Sequence, residues 1–524
     1  MNIALVVMPF AAAERPSLGV GLLQSLLRRR GFGCDAKYFN LTFASLIGLE
    51  DYKRFAEEFP IGALAGEWVF SQAFYGRELS DWDSYAEEVL SHPLWGISRG
   101  SWPVLRRVLA EAPRFLRLVY ESNDWSRYDL VGFTSTFDQT MPSMCLARMI
   151  REHHPGVLLA AGGANFEATM GRGYMDLFPF LDYVCTGEGD TAFPNLMDNL
   201  RRGSPEVPPG ILSRSRPAVG AGSPPPVTNL DALPVPDYDD YHRAASRMPA
   251  LAGMAYLPLE TSRGCWWGAK MHCTFCGLNG ETMAFRRKHW RRVADEVAAL
   301  EERYRPRVLQ FTDNILGMGY FEDLLPHWAA AGGTTPKFFE IKANLSRPQV
   351  RLLRDSGILY VQPGIESFSD RTLKVMGKGV SAFQNVAVLR WCQELGIDSQ
   401  WNLLFGFPGE DVAEYPAHAE LLRRLVHLRP PEACAPIRLD RFSPNFTRYR
   451  EQGFTSIRPM PSYRHVFPLD EDGLMEIAYF FEYTHLHRDR VRELGAPLVR
   501  LGRDWHRRWK RGENGTLAVR PHVL

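Results

Sequence analysis

The first 202 residues alternate short apolar runs with segments of helical periodicity. The runs that predict strands are IALVVMPF (3–10), DAKYFNL (35–41), YDLVGFTST (128–136), VLLAAGGANF (157–166) and LDYVCTGEGD (181–190). Leucines recur at helical spacing through SLGVGLLQSLLRRRGF (17–32). This alternation predicts an α/β fold with a doubly wound, Rossmann-like parallel sheet over residues 1–202. Aromatic-rich helical patterns at about 42–128 predict a helical insertion in that domain.

A second alternation follows a segment rich in Pro, Gly and Ser, which predicts a linker over residues 203–250. The next strand-like runs lie at 256–261, 307–312, 337–342, 358–364, 399–405 and 435–441. Six strand–helix units in series predict a partial (β/α)6 barrel over residues 251–441, with its active site at the carboxyl ends of the strands. Residues 442–524 are expected to form a separate, α-rich C-terminal domain.

Composition limits the possible partners and the compartment. Lys and Arg (61) nearly balance Asp and Glu (60), so there is no electrostatic case for nucleic-acid binding. The chain has no apolar window of ~18 residues and no signal-peptide pattern at its start. We therefore expect no membrane span. Five of the eight cysteines are scattered among apolar neighbours, which is typical of buried free thiols in a reducing cytoplasm.

The other three cysteines lie together in GCWWGAKMHCTFCGLNG (264–280), with the spacing C-x7-C-x2-C. Structural zinc requires four ligands. The fourth would have to be His272, which is adjacent to Cys273, and adjacent residues rarely bind the same metal ion. Iron–sulfur clusters are also normally held by four thiolates. A [4Fe–4S] cluster on three cysteines would leave one iron open to a substrate or cofactor, as in catalytic metal sites.

The cysteine loop resembles the signature of radical S-adenosylmethionine (SAM) enzymes, whose usual spacing is C-x3-C-x2-C. The longer spacing is similar to a subgroup that matures ribosomally synthesised peptides (RiPPs). The resemblance extends over AGGANFEATMG (161–171), VPDYDDY (235–241), FFEIKANL (338–345), QPGIES (362–367), WNLLFGFPGE (401–410) and IRLDRFSP (437–444). It implies that Cys265, Cys273 and Cys276 bind a [4Fe–4S] cluster whose open iron chelates SAM. One electron, from a donor such as flavodoxin or ferredoxin, would then cleave SAM to a 5′-deoxyadenosyl radical.

The same resemblance implies which side chains contact SAM. They are Phe275, Asp313, Asn314, Lys342, Glu366 and Asn402. Asp313 and Asn314 could alternatively cap a helix, and Glu366 could pair with a cation inside the barrel. Lys342 is expected to face the pocket with an anionic partner such as a carboxylate, and Glu340 is expected on the opposite side of its strand. No catalytic residue is predicted.

The resemblance also implies that residues 1–202 are a cobalamin-binding-type domain. The turns expected to cradle the corrinoid contain Gly162, Gly163, Asn165, Gly187 and Glu188. The chain has no D-x-H-x-x-G motif to give cobalt a lower histidine, and DYHRAA (240–245) lacks the glycine. Either cobalt is bound without a protein histidine, or the domain has lost cobalamin and serves as a scaffold.

Three functions follow. The first is cobalamin-dependent C-methylation of a RiPP precursor peptide at an unactivated carbon. The second is cobalamin-free radical modification of a peptide, such as ring formation, methylene insertion or epimerisation. The third is a non-catalytic metal-cluster scaffold that binds peptides.

Overall fold

The structure of the protein is a computed structural model. It describes residues 1–76, 79–92, 95, 97–215, 225–251, 256–280, 282–332, 335–513 and 515–517. It divides into two units. Unit 1 comprises Met1–Pro258 and Arg458–Phe480, and unit 2 comprises Leu259–Ile457 and Phe481–Leu524. Among the described residues, no helix is both long enough and apolar enough to cross a membrane.

Unit 1 contains a six-stranded sheet in the order β2-β1-β3-β4-β5-β6. Its strands are β1 (Asn2–Val7), β2 (Gly33–Tyr38), β3 (Leu130–Thr134), β4 (Leu158–Gly162), β5 (Tyr183–Cys185) and β6 (Ile211–Ser213). All neighbours are parallel except β6, which pairs antiparallel with β5. The strand order reverses direction between β1 and β3, which is the switch point of a doubly wound sheet. The predicted Rossmann-like fold is therefore confirmed.

The helical insertion is also observed, between β2 and β3. The helices of residues 1–258 are α1 (Leu18–Arg29), α2 (Phe39–Ile47), α3 (Leu49–Glu58), α4 (Ala65–Tyr75), α5 (Trp82–Tyr85), α6 (Trp102–Glu121), α7 (Thr140–His153), α8 (Ala168–Leu177), α9 (Gly189–Arg201) and α10 (Asp239–Ala245). In the insertion, α2 to α6, Trp68 stacks on Tyr85 with ring centroids 4.3 Å apart. Phe43 and Phe115 lie 4.7 Å apart, and all four rings are fully buried. The aromatic residues of the insertion thus form a hydrophobic core.

The described part of residues 203–250 differs from the predicted linker, because it packs on the sheet of unit 1. It contributes β6 and α10. The buried Asp240 carboxylate accepts hydrogen bonds from Ala36 N in β2 (2.8 Å) and from Gln24 Nε2 in α1 (2.6 Å). These long-range bonds hold the segment despite its Pro-rich composition. Residues 216–224 of the predicted linker lie outside the described residues.

Strands of unit 2 follow the predicted alternation. They are β7 (Tyr256–Leu259), which ends at the first residue of the unit, β8 (Ser262–Arg263), β9 (Arg286–Arg287), β10 (Val308–Phe311), β11 (Lys337–Ile341), β12 (Ile358–Pro363), β13 (Asp398–Ser399), β14 (Asn402–Phe405), β15 (Ala433–Pro436) and β16 (Leu439–Asp440). One sheet has the order β13-β12-β11-β10-β7, and β14 pairs with β15. A parallel bridge between Glu366 and Leu403 connects the end of β12 to β14. This arrangement confirms the partial barrel.

Helices cover the outer face of these strands. They are α11 (Trp290–Tyr304), α12 (Leu324–Ala330), α13 (Arg347–Asp355), α14 (Asp370–Val375), α15 (Ala382–Leu395), α16 (Tyr415–Arg424) and α17 (Pro444–Thr447). Phe311 stacks on Phe339 at 4.1 Å and lies 5.8 Å from Trp328 of α12. Because side chains alternate along a strand, Gln310 and Glu340 lie on the inner face of the partial barrel.

The C-terminal region also differs from the prediction, because residues 442–524 are shared between the two units. β17 (Phe454–Pro459) and β18 (Phe480–His485) form a small sheet with β16. α18 (Glu471–Ile477) belongs to unit 1, where Ser462 Oγ donates to the Gly62 carbonyl at 2.7 Å. α19 (Arg488–Lys510) belongs to unit 2 and packs on α16 and β15. Each helix therefore buries its apolar residues within its own unit.

Candidate cofactor sites

The three-cysteine loop of unit 2 is closed at its base by a short antiparallel ladder. Ser262 pairs with Arg287 in this ladder, which joins β8 to β9. Gly264 has φ 77°, and a Cβ at this position would lie 2.1 Å from the Ala284 carbonyl oxygen. A side chain cannot be accommodated there, which explains the glycine directly before Cys265.

The three thiols are half-buried and not in disulfides. Burial raises the pKa of Cys276 to about 12, and the charges of Cys273 and Cys265 add to the shift. Burial also raises the pKa of Cys273, against the charges of Lys378 and Lys342. The thiols therefore share one electrostatic environment, in which burial favours the neutral thiol and the nearby lysine charges oppose that effect.

This donor set fits a cluster better than a single ion. Within the described ranges, no three His, Cys, Asp or Glu side chains form a group that could hold one metal ion. His272, the possible fourth zinc ligand, has its Nε2 2.8 Å from the Cys276 carbonyl oxygen. In an iron–sulfur cluster, by contrast, each thiolate binds a different iron.

Asp313 holds the strand that leads into the cysteine loop. It is 1% exposed and accepts hydrogen bonds from Thr261 N (2.7 Å), from Ser262 Oγ (2.6 Å) and from the Thr261 hydroxyl. Burial raises the pKa of Asp313 to about 6, against these hydrogen bonds. With both carboxylate oxygens engaged inside the protein, Asp313 is a positioning residue for the loop.

Lys342 is buried as predicted, but its partner is not a carboxylate. Its Nζ donates to the Lys378 carbonyl oxygen at 2.5 Å and lies 3.6 Å from the centroid of the Trp267 ring. Burial and the charge of Lys378 lower the pKa of Lys342 to about 8. The carboxylate of Glu366 instead pairs with Lys378 Nζ, at 3.0 Å.

Lys378 and Trp267 were missed at the sequence level. Burial opposes the charge of Lys378, but Glu366 and the thiols raise its pKa overall. Gly377 and Gly379 flank it in left-handed conformations, and a Cβ on Gly379 would lie 2.1 Å from the Trp267 ring. The pattern GKG after a helix was the only local signal for this lysine.

The prediction that Glu340 faces away from Lys342 is wrong. Residues two apart on a strand share a face. Burial raises the pKa of Glu340 to about 7, and the nearby Glu366 and Lys378 charges also act on it. Glu340 therefore lies on the same inner face as the lysine pair.

Of the remaining predicted SAM contacts, Phe275 and Asn314 lie in or against the cysteine loop, whereas Asn402 is in β14. Phe275 lies edge-on to Phe407 at 5.9 Å, and Lys378 Nζ is 5.6 Å from its ring centroid. Asn314 Nδ2 donates to Asn279 Oδ1 at 2.5 Å, within the loop. Asn402 is half-buried at the start of β14.

In unit 1, the turns after β3 and β4 are bound to each other. Asn165 accepts a hydrogen bond from Phe137 N (2.9 Å) and donates to the Phe137 carbonyl oxygen (2.6 Å) and to Ser135 Oγ (3.0 Å). Gly163 has φ 100°, and a Cβ there would lie 2.5 Å from the Ser135 carbonyl oxygen. Gly162 also has a neighbour close by, since its Cβ would lie 3.2 Å from that of Cys185.

These turns present backbone and one aromatic ring at the switch point, which is where doubly wound sheets bind ligands. Gly163 is exposed, and Phe137 is 47% exposed with φ 54°. Gly187 follows β5, and the next residue, Glu188, accepts a hydrogen bond from Val227 N at 2.7 Å. An open edge of small residues fits a large flat group, whereas the Glu188 carboxylate is engaged in holding residues 225–229.

Two buried carboxylates, Glu67 and Asp138, stabilise the turn between β3 and α7. Glu67 accepts hydrogen bonds from Thr140 N (2.8 Å) and Met141 N (2.5 Å) at the start of α7. Asp138 lies against the start of α4, where the backbone N–H groups of Gly66 and Glu67 favour its ionised form. Burial and the Asp138 charge raise the pKa of Glu67 to about 8, and burial raises the pKa of Asp138 to about 7. Glu67 of α4 thus binds the first N–H groups of α7, and Asp138, two residues before α7, lies against the start of α4.

We expect Asp313→Asn to lower the iron and sulfide bound per chain after anaerobic reconstitution. Asparagine keeps the volume but cannot accept from Thr261 N, Thr261 Oγ1 and Ser262 Oγ at the same oxygens. The matched control is Asp295→Asn on the exposed face of α11. Full cluster content in Asp313→Asn would contradict the positioning role.

We expect the free energy of unfolding of unit 1 to fall as the pH rises from about 5 to about 8. Both acids bind their protons more tightly in the folded chain, so their contribution is complete below the unfolded pKa near 4 and is lost through the folded values. Glu67→Gln should flatten this dependence in chemical denaturation, whereas the exposed Glu50→Gln should leave it unchanged. An unaltered pH profile in Glu67→Gln would show that Glu67 ionises normally.

Residues 259–422 match the family described as the Radical SAM superfamily. Over 322 residues the chain is 26% identical to "Uncharacterized methyltransferase PH0819" of Pyrococcus horikoshii, covering 57% of this chain and 64% of that protein. Over 159 residues it is 28% identical to "Cobalamin-dependent radical SAM methyltransferase TokK" of Streptomyces tokunonensis, covering 29% of this chain and 23% of TokK. The chain thus spans less than two thirds of either relative.

The fold is shared with a solved structure, that of the radical SAM methyltransferase TsrM from Kitasatospora setae with cobalamin and a [4Fe–4S] cluster bound. The TM-score is 0.60 at 16% identity, and the match covers 95% of this chain and 91% of TsrM. TsrM was solved with cobalamin and a [4Fe–4S] cluster bound, and TokK is named cobalamin-dependent, so the cofactor set predicted for this chain is in line with that of its relatives. The family resemblance is thus specific to residues 259–422, which match the radical SAM domain.

Proposed function

We propose that the protein is a cobalamin-dependent radical SAM C-methyltransferase. The observation that carries the proposal is the loop with Cys265, Cys273 and Cys276, three thiols in one environment with two lysines. When bound, the cluster and SAM supply a 5′-deoxyadenosyl radical, and methylcobalamin supplies the methyl group. The protein supplies binding, orientation and exclusion of water.

In unit 2, the three thiolates would hold the cluster, and the lysines would balance their charge. The residues that would contact SAM are Phe275, Asn314, Lys342, Glu366 and Asn402. Asp313 would act through the loop, because its oxygens are already engaged.

In unit 1, the turns with Gly162, Gly163, Asn165 and Gly187 would receive cobalamin. The exposed backbone at Gly163 supports this assignment, as do the names of the relatives. Since the Glu188 carboxylate already accepts a hydrogen bond from Val227 N, we assign Glu188 itself a supporting role in its turn. His242 lies in α10 against Tyr241, so it is not assigned as a cobalt ligand.

The substrate that we propose is a ribosomally synthesised precursor peptide, modified in the cytoplasm with electrons from a flavodoxin or ferredoxin. The support is the C-x7-C-x2-C spacing. The relatives add no support for a peptide substrate, since TsrM also has a structure with tryptophan as its substrate. Cobalamin-free peptide modification and a non-catalytic scaffold are the alternatives that the two tests below separate.

We expect Cys276→Ala to abolish 5′-deoxyadenosine formation from SAM in the reconstituted, reduced enzyme. Loss of one of three thiolates leaves an iron without its protein ligand. The matched control, Cys434→Ala, removes a half-buried thiol of β15 and should retain the product. Product formation by Cys276→Ala, read by mass spectrometry, would remove the catalytic cluster from the proposal.

We expect the protein to retain about one equivalent of hydroxocobalamin through gel filtration. Gly163→Val should reduce this amount, because a side chain there collides with the Ser135 carbonyl and reshapes the turn. The control is Gly156→Val. Gly156 lies in the turn before β4, and a Cβ there would have open space around it. No retention by the wild type, with deoxyadenosine still formed, would favour cobalamin-free chemistry.

A further inference from the structure

The inner face of the partial barrel carries several polar side chains, whereas branched apolar side chains usually fill a β/α barrel. Gln310 lies beside Phe338 in the strand register, and Glu340 lies beside Gln362. The layer continues to the next strand, where Gln400 N donates to the Val361 carbonyl at 2.8 Å. One carboxyl group and two carboxamides thus lie in adjacent positions on one wall.

Glu340 differs from four other acids of unit 2, Asp313, Glu366, Glu296 and Glu410, which are all engaged within the protein. Asp313 accepts three hydrogen bonds, and Glu366 pairs with Lys378. Glu296 pairs with Lys288 at 2.8 Å, and Glu410 accepts from Gly406 N and Phe407 N. For the half-buried Glu340 side chain, no hydrogen bond or ion pair occurs among the residues that the structure describes.

The charged neighbours of Glu340 do not supply it with a free positive partner. Glu366 and Asp313 oppose its ionisation, and Lys378, which favours it, is paired with Glu366. A partly desolvated carboxyl group gains most from a charge-assisted hydrogen bond brought by a ligand.

Gln362, Gln400 and Asn402 are likewise half-buried, with no side-chain hydrogen bond among the described residues. Each carboxamide offers both a donor and an acceptor, which is the complement of a peptide group.

We propose that Glu340 anchors a peptide substrate inside the partial barrel by binding a cationic side chain, with Gln362 and Gln400 pairing with adjacent peptide groups. The assignment rests on the proposed function for identifying this wall as the substrate side. It deepens that function by giving the substrate class as a peptide with a Lys or Arg close to the modified carbon.

Carbodiimide footprinting of the full-length, cluster-loaded protein tests the anchor directly. Trypsin releases FFEIK (338–342), in which Glu340 is the only carboxylate side chain, and ELGAPLVR (493–500), in which the exposed Glu493 is the only one. The probes are pools of short acetylated peptide amides with one fixed Lys, and matched pools with norleucine. We expect the Lys pool to protect Glu340 and not Glu493, and the norleucine pool to protect neither.

Fluorescence anisotropy with the labelled Lys pool supplies the second readout. Glu340→Gln, which keeps the shape of the side chain, should weaken binding by about tenfold, the loss expected for one charge-assisted hydrogen bond. Glu493→Gln should bind as the wild type does. Equal protection by both pools, no protection by either, or unchanged binding in Glu340→Gln overturns the anchor. Equal protection by lysine amide alone overturns the peptide class.

The two proposals fail separately. Loss of corrinoid retention or of deoxyadenosine formation would remove the proposed chemistry and leave the footprint of Glu340 unaffected. A missing footprint in a protein that forms deoxyadenosine would remove only the anchor.

Discussion

Charge balance around the three thiols is the constraint that organises unit 2. Thiolates in a half-buried site require positive charge nearby, and Lys342 and Lys378 supply it. The buried Lys342 and the half-buried Lys378 repel each other, so each is held by a different group. Glu366 pairs with Lys378, while the Trp267 ring and the Lys378 carbonyl hold Lys342. The ends of β11 and β12 are thereby fixed to the cysteine loop.

Buried acids and amides position the candidate cofactor loops in both units. Asp313 holds the backbone and hydroxyls that precede the cysteines, and Asn165 holds the turn at Phe137. Glu67 reaches the same turn from the helical insertion, at the start of α7. A side chain that forms hydrogen bonds with the backbone on the protein side of a loop leaves the tip of that loop open to a ligand. Glu340 is the contrasting case, because its carboxyl group serves no backbone.

Local patterns predicted most of the fold. The five parallel strands of the unit 1 sheet, the six strand regions of unit 2, the helical insertion and the three-cysteine loop were visible, because periodicity and turn residues act over a few positions. The antiparallel β6 was not predicted, and the run predicted as one strand at 399–405 is divided between β13 and β14. The prediction of a linker at 203–250 was wrong because this segment is held by contacts with residues distant in sequence. Its prolines indicate turns, but Asp240 bonds Ala36 N across 204 residues, and composition carries no trace of such a contact.

Sequence alone determined the elements, the cysteine spacing and the glycines that the tight turns require, since these depend on backbone sterics within each segment. Tertiary structure decided the partners. It assigned Glu366 to Lys378 rather than Lys342, and it engaged Asp313 within the fold. It also left Glu340 without a described partner on the inner face. Which charges meet depends on the approach of strands distant in sequence, and burial then sets the strength of each interaction.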